Sequence, residues 1–119
     1  MFHAQYFAFM ERARSELLNA AGVDLARVAV ERRLLFLVHG IVASFHGPAR
    51  LNDMLAVSAE VIKMGRASVV FRHRVAREGT LLVEAEVALA LVDRERMKPA
   101  RMPEELATAL GAEHKQALT

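Results

Sequence analysis

The side chains that could act on a substrate near neutral pH are few. Histidine is the side chain whose charge changes in that range, and His3 could orient a substrate or assist a water, although as the third residue it could equally be a surface group. His39, His46 and His73 are too scattered for a metal-ligand motif, so no metal is assigned. Glu11 stands three residues before Arg14, a spacing that favours a structural ion pair over a role as base. Tyr6 reads as a core or seam aromatic rather than an acid. Arg50 and Lys98 could meet phosphate groups, but solvated surface charge is the commoner fate of such residues. The chain has no cysteine, which excludes thiolate chemistry and a disulfide framework and fits a reducing compartment, the cytoplasm.

These groups need elements to position them. Over residues 4–22 apolar side chains recur at three and four, with Tyr6, Phe9, Met10, Ala13, Leu17, Ala20 and Ala21 on one side and Glu11, Arg12, Ser15, Glu16 and Asn19 on the other. The spacing predicts a helix of about 18 residues, roughly 27 Å long, that buries the first set. Gly22 is suited to the left-handed position beyond its end. Residues 23–33 read as a short helical turn leading to a strand. From 34 to 45 the run LLFLVHGIVASF is apolar on both faces, as in a strand buried from both sides or lying on a subunit seam, and Gly40 within it marks a bulge or a close approach.

Residues 54–64 alternate, with Leu55, Val57, Ala59 and Val61 on one face and Ser58 and Glu60 on the other. Ala67, Val69, Phe71, His73 and Val75 form the inner face of the next strand, and residues 81–92 the last. A three-residue loop, Glu78-Gly79-Thr80, joins these two. Centring the hairpin on Gly79 sets Arg72 opposite Glu86, Arg74 opposite Glu84, Phe71 opposite Val87 and Val69 opposite Leu89. A slip of one residue would bury the charges. After a charged exit at 93–96, Pro103 begins a short helix with Glu104 and Glu105 in its first turn, ending near Leu110 at Gly111, and the tail to Thr119 is expected to fray. The class is α+β, a long helix across four antiparallel strands in one domain spanning residues 1–119.

Four segments carry a resemblance: FHAQYFAFMERAR at the helix head, GPARLND before the second strand, TLLVEAEVALALVD in the last strand, and MKPARMP after it. Together they resemble the hotdog-fold acyl-CoA thioesterases, more closely the YbgC type associated with the Tol-Pal gene cluster, which is related to 4-hydroxybenzoyl-CoA thioesterase. The resemblance runs from Phe2 to about Leu106. It implies hydrolysis of an acyl-CoA or acyl-carrier-protein thioester, with coenzyme A entering as part of the substrate and no separate cofactor. It also implies an extra first strand and an Asp-x-x-Gly-x-x-x-His pattern, whose histidine matches His3 and whose aspartate would precede Met1. That aspartate attacks the thioester carbonyl or activates water, so hydrolysis by residues 1–119 as they stand is expected to be impaired.

The same resemblance assigns the polarising backbone N–H groups to Phe2 and His3, and it makes Tyr6 and Glu11 lesser catalytic candidates and Arg50 and Lys98 candidates for the phosphates of coenzyme A. Two other readings stand beside hydrolysis: an acyl-binding or partner-binding hotdog domain without turnover, and an enoyl-thioester hydratase or dehydratase. A homodimer, or a tetramer of dimers, joined along 34–45 is expected, because that apolar strand carries no lysine or proline to discourage edge pairing. The net charge of +2 and the absence of tryptophan argue against nucleic acid. No apolar run approaches the roughly 18 residues of a membrane span, and the start lacks a basic region and cleavage site for a signal peptide.

Overall fold

Among the described residues, four strands make one antiparallel sheet: β1 (Leu34–Phe45), β2 (Leu55–Met64), β3 (Ser68–Arg77) and β4 (Thr80–Asp93), in the order β1-β4-β3-β2. Three helices accompany it, α1 (Phe2–Ala20), α2 (Leu25–Glu31) and α3 (Glu104–Leu118). The computed structural model describes the backbone of residues 2–47 and 54–118 and the side chains of 6–47 and 54–111.

The β3–β4 hairpin has the expected register, with Arg72 opposite Glu86, Arg74 opposite Glu84, Phe71 opposite Val87 and Val69 opposite Leu89. Its loop is tighter than expected. Arg77 pairs with Thr80, leaving two loop residues, Glu78 and Gly79, at φ 49° and 82°. Two positive φ values give the backbone twist that suits a two-residue hairpin. The difference is absorbed farther along, where Val75 pairs with Val83 but Ala76 pairs with Leu81. The bulge leaves Leu82 unpaired on β3, and its carbonyl instead accepts the His46 N–H at 2.7 Å.

On the outer face Glu60 of β2 joins the two arginines, at 3.6 Å from Arg72 and 3.4 Å from Arg74, while Arg74 lies 2.7 Å from Glu84 and Arg72 3.7 Å from Glu86. A ladder of opposite charges thus crosses three strands. The inner face of β3, by contrast, is closed: Val69, Phe71, His73 and Val75 are all buried.

Among the described residues β1 pairs only with β4 and forms one edge of the sheet. A register shift between Val38 and Gly40 explains its two-faced pattern, since Phe36 and Val38 pair with the inward residues Leu91 and Leu89, whereas beyond the bulge Ile41, Ala43 and Phe45 pair with the inward Val87, Ala85 and Val83. Burial does not follow on both sides. Leu37, Val38, Ile41, Val42 and Phe45 are all exposed, so β1 is not buried from both sides within the single chain.

Helix α1 ends as its sequence suggests. Gly22 has φ 86°, its N–H meets the Asn19 carbonyl at 3.0 Å, and the Val23 N–H meets that of Leu18 at 2.8 Å, which is the paired closure of a Schellman motif. The buried face differs from the expected one. Tyr6, Met10, Arg14 and Leu18, each four residues apart, point inward, while Phe9 is 39% exposed and Ala20 and Ala21 lie in solvent. Phe9 precedes Met10 and is turned about 100° from it. An arginine holds the central inward place because His73 stands opposite to receive it.

Asp24 caps α2, its Oδ1 accepting the Ala26 and Arg27 N–H groups at 3.0 and 3.4 Å. The last helix also departs from expectation: α3 continues to Leu118, and Gly111 lies inside it rather than ending it. Leu106 and Leu110 on α3 pack with Leu18, Val61, Val69 and Phe71, a cluster whose burial outweighs the roughly 1 kcal/mol that an internal glycine costs.

Candidate active site

Helix α1 lies over β2 and β3, and α3 adds to the cover on β2. The inner face of β4 is buried, whereas that of β1 is reached only in part, by α2, and this leaves a groove along the open side of α1. Two adjoining cavities form it. One, of about 270 Å³, runs past Leu18, Phe36, Phe71 and Leu91 beneath α2, and the other, of about 300 Å³, lies between Phe7 and Met10 on α1 and Val38 and Ile41 on β1. Glu11, Arg14 and Val38 line both. The groove is therefore apolar, with one carboxylate and one guanidinium where its halves meet.

Arg14 reaches down to β3, where its Nη1 stands 2.9 Å from Nε2 of the fully buried His73. The other ring nitrogen, Nδ1, is 3.0 Å from the Ser58 carbonyl oxygen. A carbonyl only accepts, so Nδ1 carries the proton and donates to Ser58, and Nε2 accepts from Arg14. Burial pushes the imidazole down to about 4, with the Ser58 carbonyl working against that fall and the charge of Arg14 adding to it. His73 is neutral in the folded protein at neutral pH. Burial likewise lowers the pKa of Arg14, opposed by the charge of Glu11.

The residues singled out from sequence fall in different places. Glu11 is exposed at the side of the groove, near enough to act on Arg14 through its charge. Tyr6 is buried with Met10, Val75 and Leu82, its ring 6.1 Å from that of Phe45, which makes it a core aromatic bordering the seam. Phe2 and His3 form the first turn of α1, where backbone N–H groups have no partner within the helix. Their side chains, and all of Arg50, lie outside the described residues. Lys98 is exposed beyond β4, where its carbonyl accepts the Asp93 N–H at 2.8 Å, and it does not line the groove. His39 sits at the β1 bulge, His46 just past β1, and His73 under α1.

Arg14 was not foreseen as part of the site. A signal was present in its place within the series Tyr6, Met10, Arg14, Leu18, together with a histidine among the inward residues of β3.

Comparison with known proteins agrees with this geometry. A family model described as "Thioesterase superfamily" matches residues 1–84. The acyl-CoA thioester hydrolase YbgC of Escherichia coli O6:H1 is 39% identical over 107 residues, covering 89% of this chain and 79% of that protein. The acyl-CoA thioesterase YbgC of Haemophilus influenzae is 34% identical over 109 residues, 92% of this chain and 80% of that protein. In structure, a hypothetical protein from Thermus thermophilus superposes with a TM-score of 0.86 at 31% identity, over 94% of this chain and 84% of its own. A probable thioesterase from Bartonella henselae gives a TM-score of 0.78 at 32% identity, over 85% and 83%. The sheet with its overlying helix is the hotdog fold, and the chain belongs to the thioesterase superfamily.

Proposed function

We propose that this chain hydrolyses acyl-CoA thioesters in the cytoplasm, as a homodimer joined along β1. The 39% identity to an acyl-CoA thioester hydrolase across 89% of the chain carries the reading. The groove supports it, since an apolar channel running along α1 from near its first turns suits an acyl chain whose thioester lies at the helix start. Water adds to the carbonyl carbon, the C–S bond breaks, and the products are the acid and the free thiol. The first-turn N–H groups at Phe2 and His3, with the helix dipole behind them, stabilise the negative charge that develops on the carbonyl oxygen. Glu11 lies about 12 Å farther along the helix than His3, too far to activate that water. By the resemblance, the activating carboxylate is the aspartate that opens the pattern ending at His3, and hydrolysis by residues 1–119 as they stand is expected to be slow without it.

The dimer rests on β1, an edge strand with exposed Val38, Ile41 and Phe45 beside the groove. A second copy laid along it would close the channel from the open side. The thiol carrier is coenzyme A in this reading, with an acyl carrier protein as the other candidate. The test is thiol release from a panel of acyl-CoAs. Release supports hydrolysis, binding without release would favour an acyl-binding domain, and hydration of an enoyl thioester would favour the hydratase.

A further inference from the structure

Arg14 is placed as few arginines are. Its residue is 8% exposed, one guanidinium N–H is given to His73, and that acceptor is a neutral ring. The bond occupies one of five donors and cancels no charge. Among the described residues no carboxylate comes within ion-pair distance of Arg14, and Glu11 acts on it only from the exposed side of the groove. No buried side-chain nitrogen or oxygen of the described residues is left without a partner, so the guanidinium nitrogens not bound to His73 are the ones that reach open space. That space is the groove, both halves of which Arg14 lines. Around it the walls are Leu18, Phe36, Phe71 and Leu89.

Resting on the thioesterase reading above, we infer that Arg14 selects the acyl group: the site favours chains that carry an oxygen acceptor, best a carboxylate, where they pass Arg14, over unsubstituted chains of the same length. The physical reason is an asymmetry. Methylenes filling the groove remove water from charged donors and return nothing, whereas an acyl oxygen replaces the lost water with a charge-assisted hydrogen bond. A pocket built around an unmet donor rejects the ligand that lacks the acceptor far more strongly than an apolar pocket rejects a size change. The position of the favoured oxygen follows from the helix. Arg14 lies about 17 Å along α1 from His3, and its side chain leans back toward the N-terminus, so the acceptor stands several bonds beyond the thioester. Glu11 does not reverse the preference, because it is exposed and water screens it.

The test compares kcat/KM within matched pairs, butyryl- against succinyl-CoA, hexanoyl- against adipoyl-CoA and octanoyl- against suberoyl-CoA. The expected result is that at one length or more the dicarboxylic member is preferred by about 10-fold or more. In Arg14→Met, which keeps the length and loses the charge, that ratio falls to one or below while the plain chain is still hydrolysed. A wild-type ratio of one or less at every length overturns the inference, as does an Arg14→Met effect equal for both members of a pair. Should thermal melts show that Arg14→Met does not fold, Arg14→Lys takes its place. A lysine cannot hold His73 and also fork onto a carboxylate, so the ratio drops several-fold, and an unchanged ratio overturns the inference. If the wild type releases no thiol from any substrate, the thioesterase reading fails by itself. Calorimetric binding of the corresponding non-hydrolysable thioether analogues then decides: tighter dicarboxylic binding that is lost with Arg14 supports the selection, and equal affinities overturn it.

Discussion

The two edges of the sheet are treated in opposite ways. β2 is covered on its inner face by α1 and α3, and on its outer face Glu60 joins a ladder of charges with Arg72 and Arg74. β1 has neither protection: its inner face is only partly reached by α2, and apolar side chains such as Val38 and Val42 are exposed on both faces. No large apolar side chain of β2 is exposed. The edge that is apolar on both faces is the one along which the proposed dimer would form, beside the groove.

The largest expected effect tests this contrast through association. Val42→Lys, on the outer face of β1, should convert a dimer to a monomer in sedimentation, whereas Ala56→Lys on β2 should leave the mass unchanged. A wild-type monomer at micromolar concentration would remove the contrast altogether. Next come the two sides of the helix. Phe71→Ala, under the covered half of the sheet, should cost about 3–5 kcal/mol in denaturant melts, and Phe9→Ala about 1 kcal/mol or less. Equal costs would place α1 in a different rotation.

A third effect belongs to pH. His73 has a folded pKa of about 4, below its ordinary unfolded value, so between those values the unfolded chain binds a proton that the folded chain does not. Stability is full above about pH 6.5 and declines as pH falls toward about 4. The loss amounts to about 3 kcal/mol. His73→Gln keeps an acceptor for Arg14 and should flatten that part of the stability curve. The smallest effect is on the charged ladder, where Glu84→Gln should cost about 0.2–1 kcal/mol and less in high salt.

What could be read without the structure was whatever a local pattern enforces. Arg72 and Arg74 opposite Glu86 and Glu84 leave one sensible register, and this held even though the loop was two residues rather than three, because the bulge at Leu82 restored the count. The Gly22 closure was legible for the same reason. The face of α1 was not. Counting apolar types put Phe9 inward and left Arg14 outside, since an arginine takes a core position only when a distant strand supplies its acceptor, here His73. The groove was equally hidden, because it exists only through the placement of α1 over β2 and β3 rather than over the middle of the sheet. Gly111 misled about the length of α3, where packing of Leu106 and Leu110 overrode propensity.

The strand order has a consequence for the order of folding. β2, β3 and β4 follow one another as a meander, so each pairing closes a short loop, while β1 comes first among the strands and must wait for the last of them, β4. Loop-closure entropy therefore delays β1, and pulse-labelled hydrogen exchange should show β3 and β4 amides protected before those of β1. During that delay LLFLVHGIVASF is an unpaired segment of high β-propensity with no acidic residue, lysine, arginine or proline. The strand that a partner would cover in the finished molecule is thus the one with the longest opportunity to find a wrong partner while the chain is still folding.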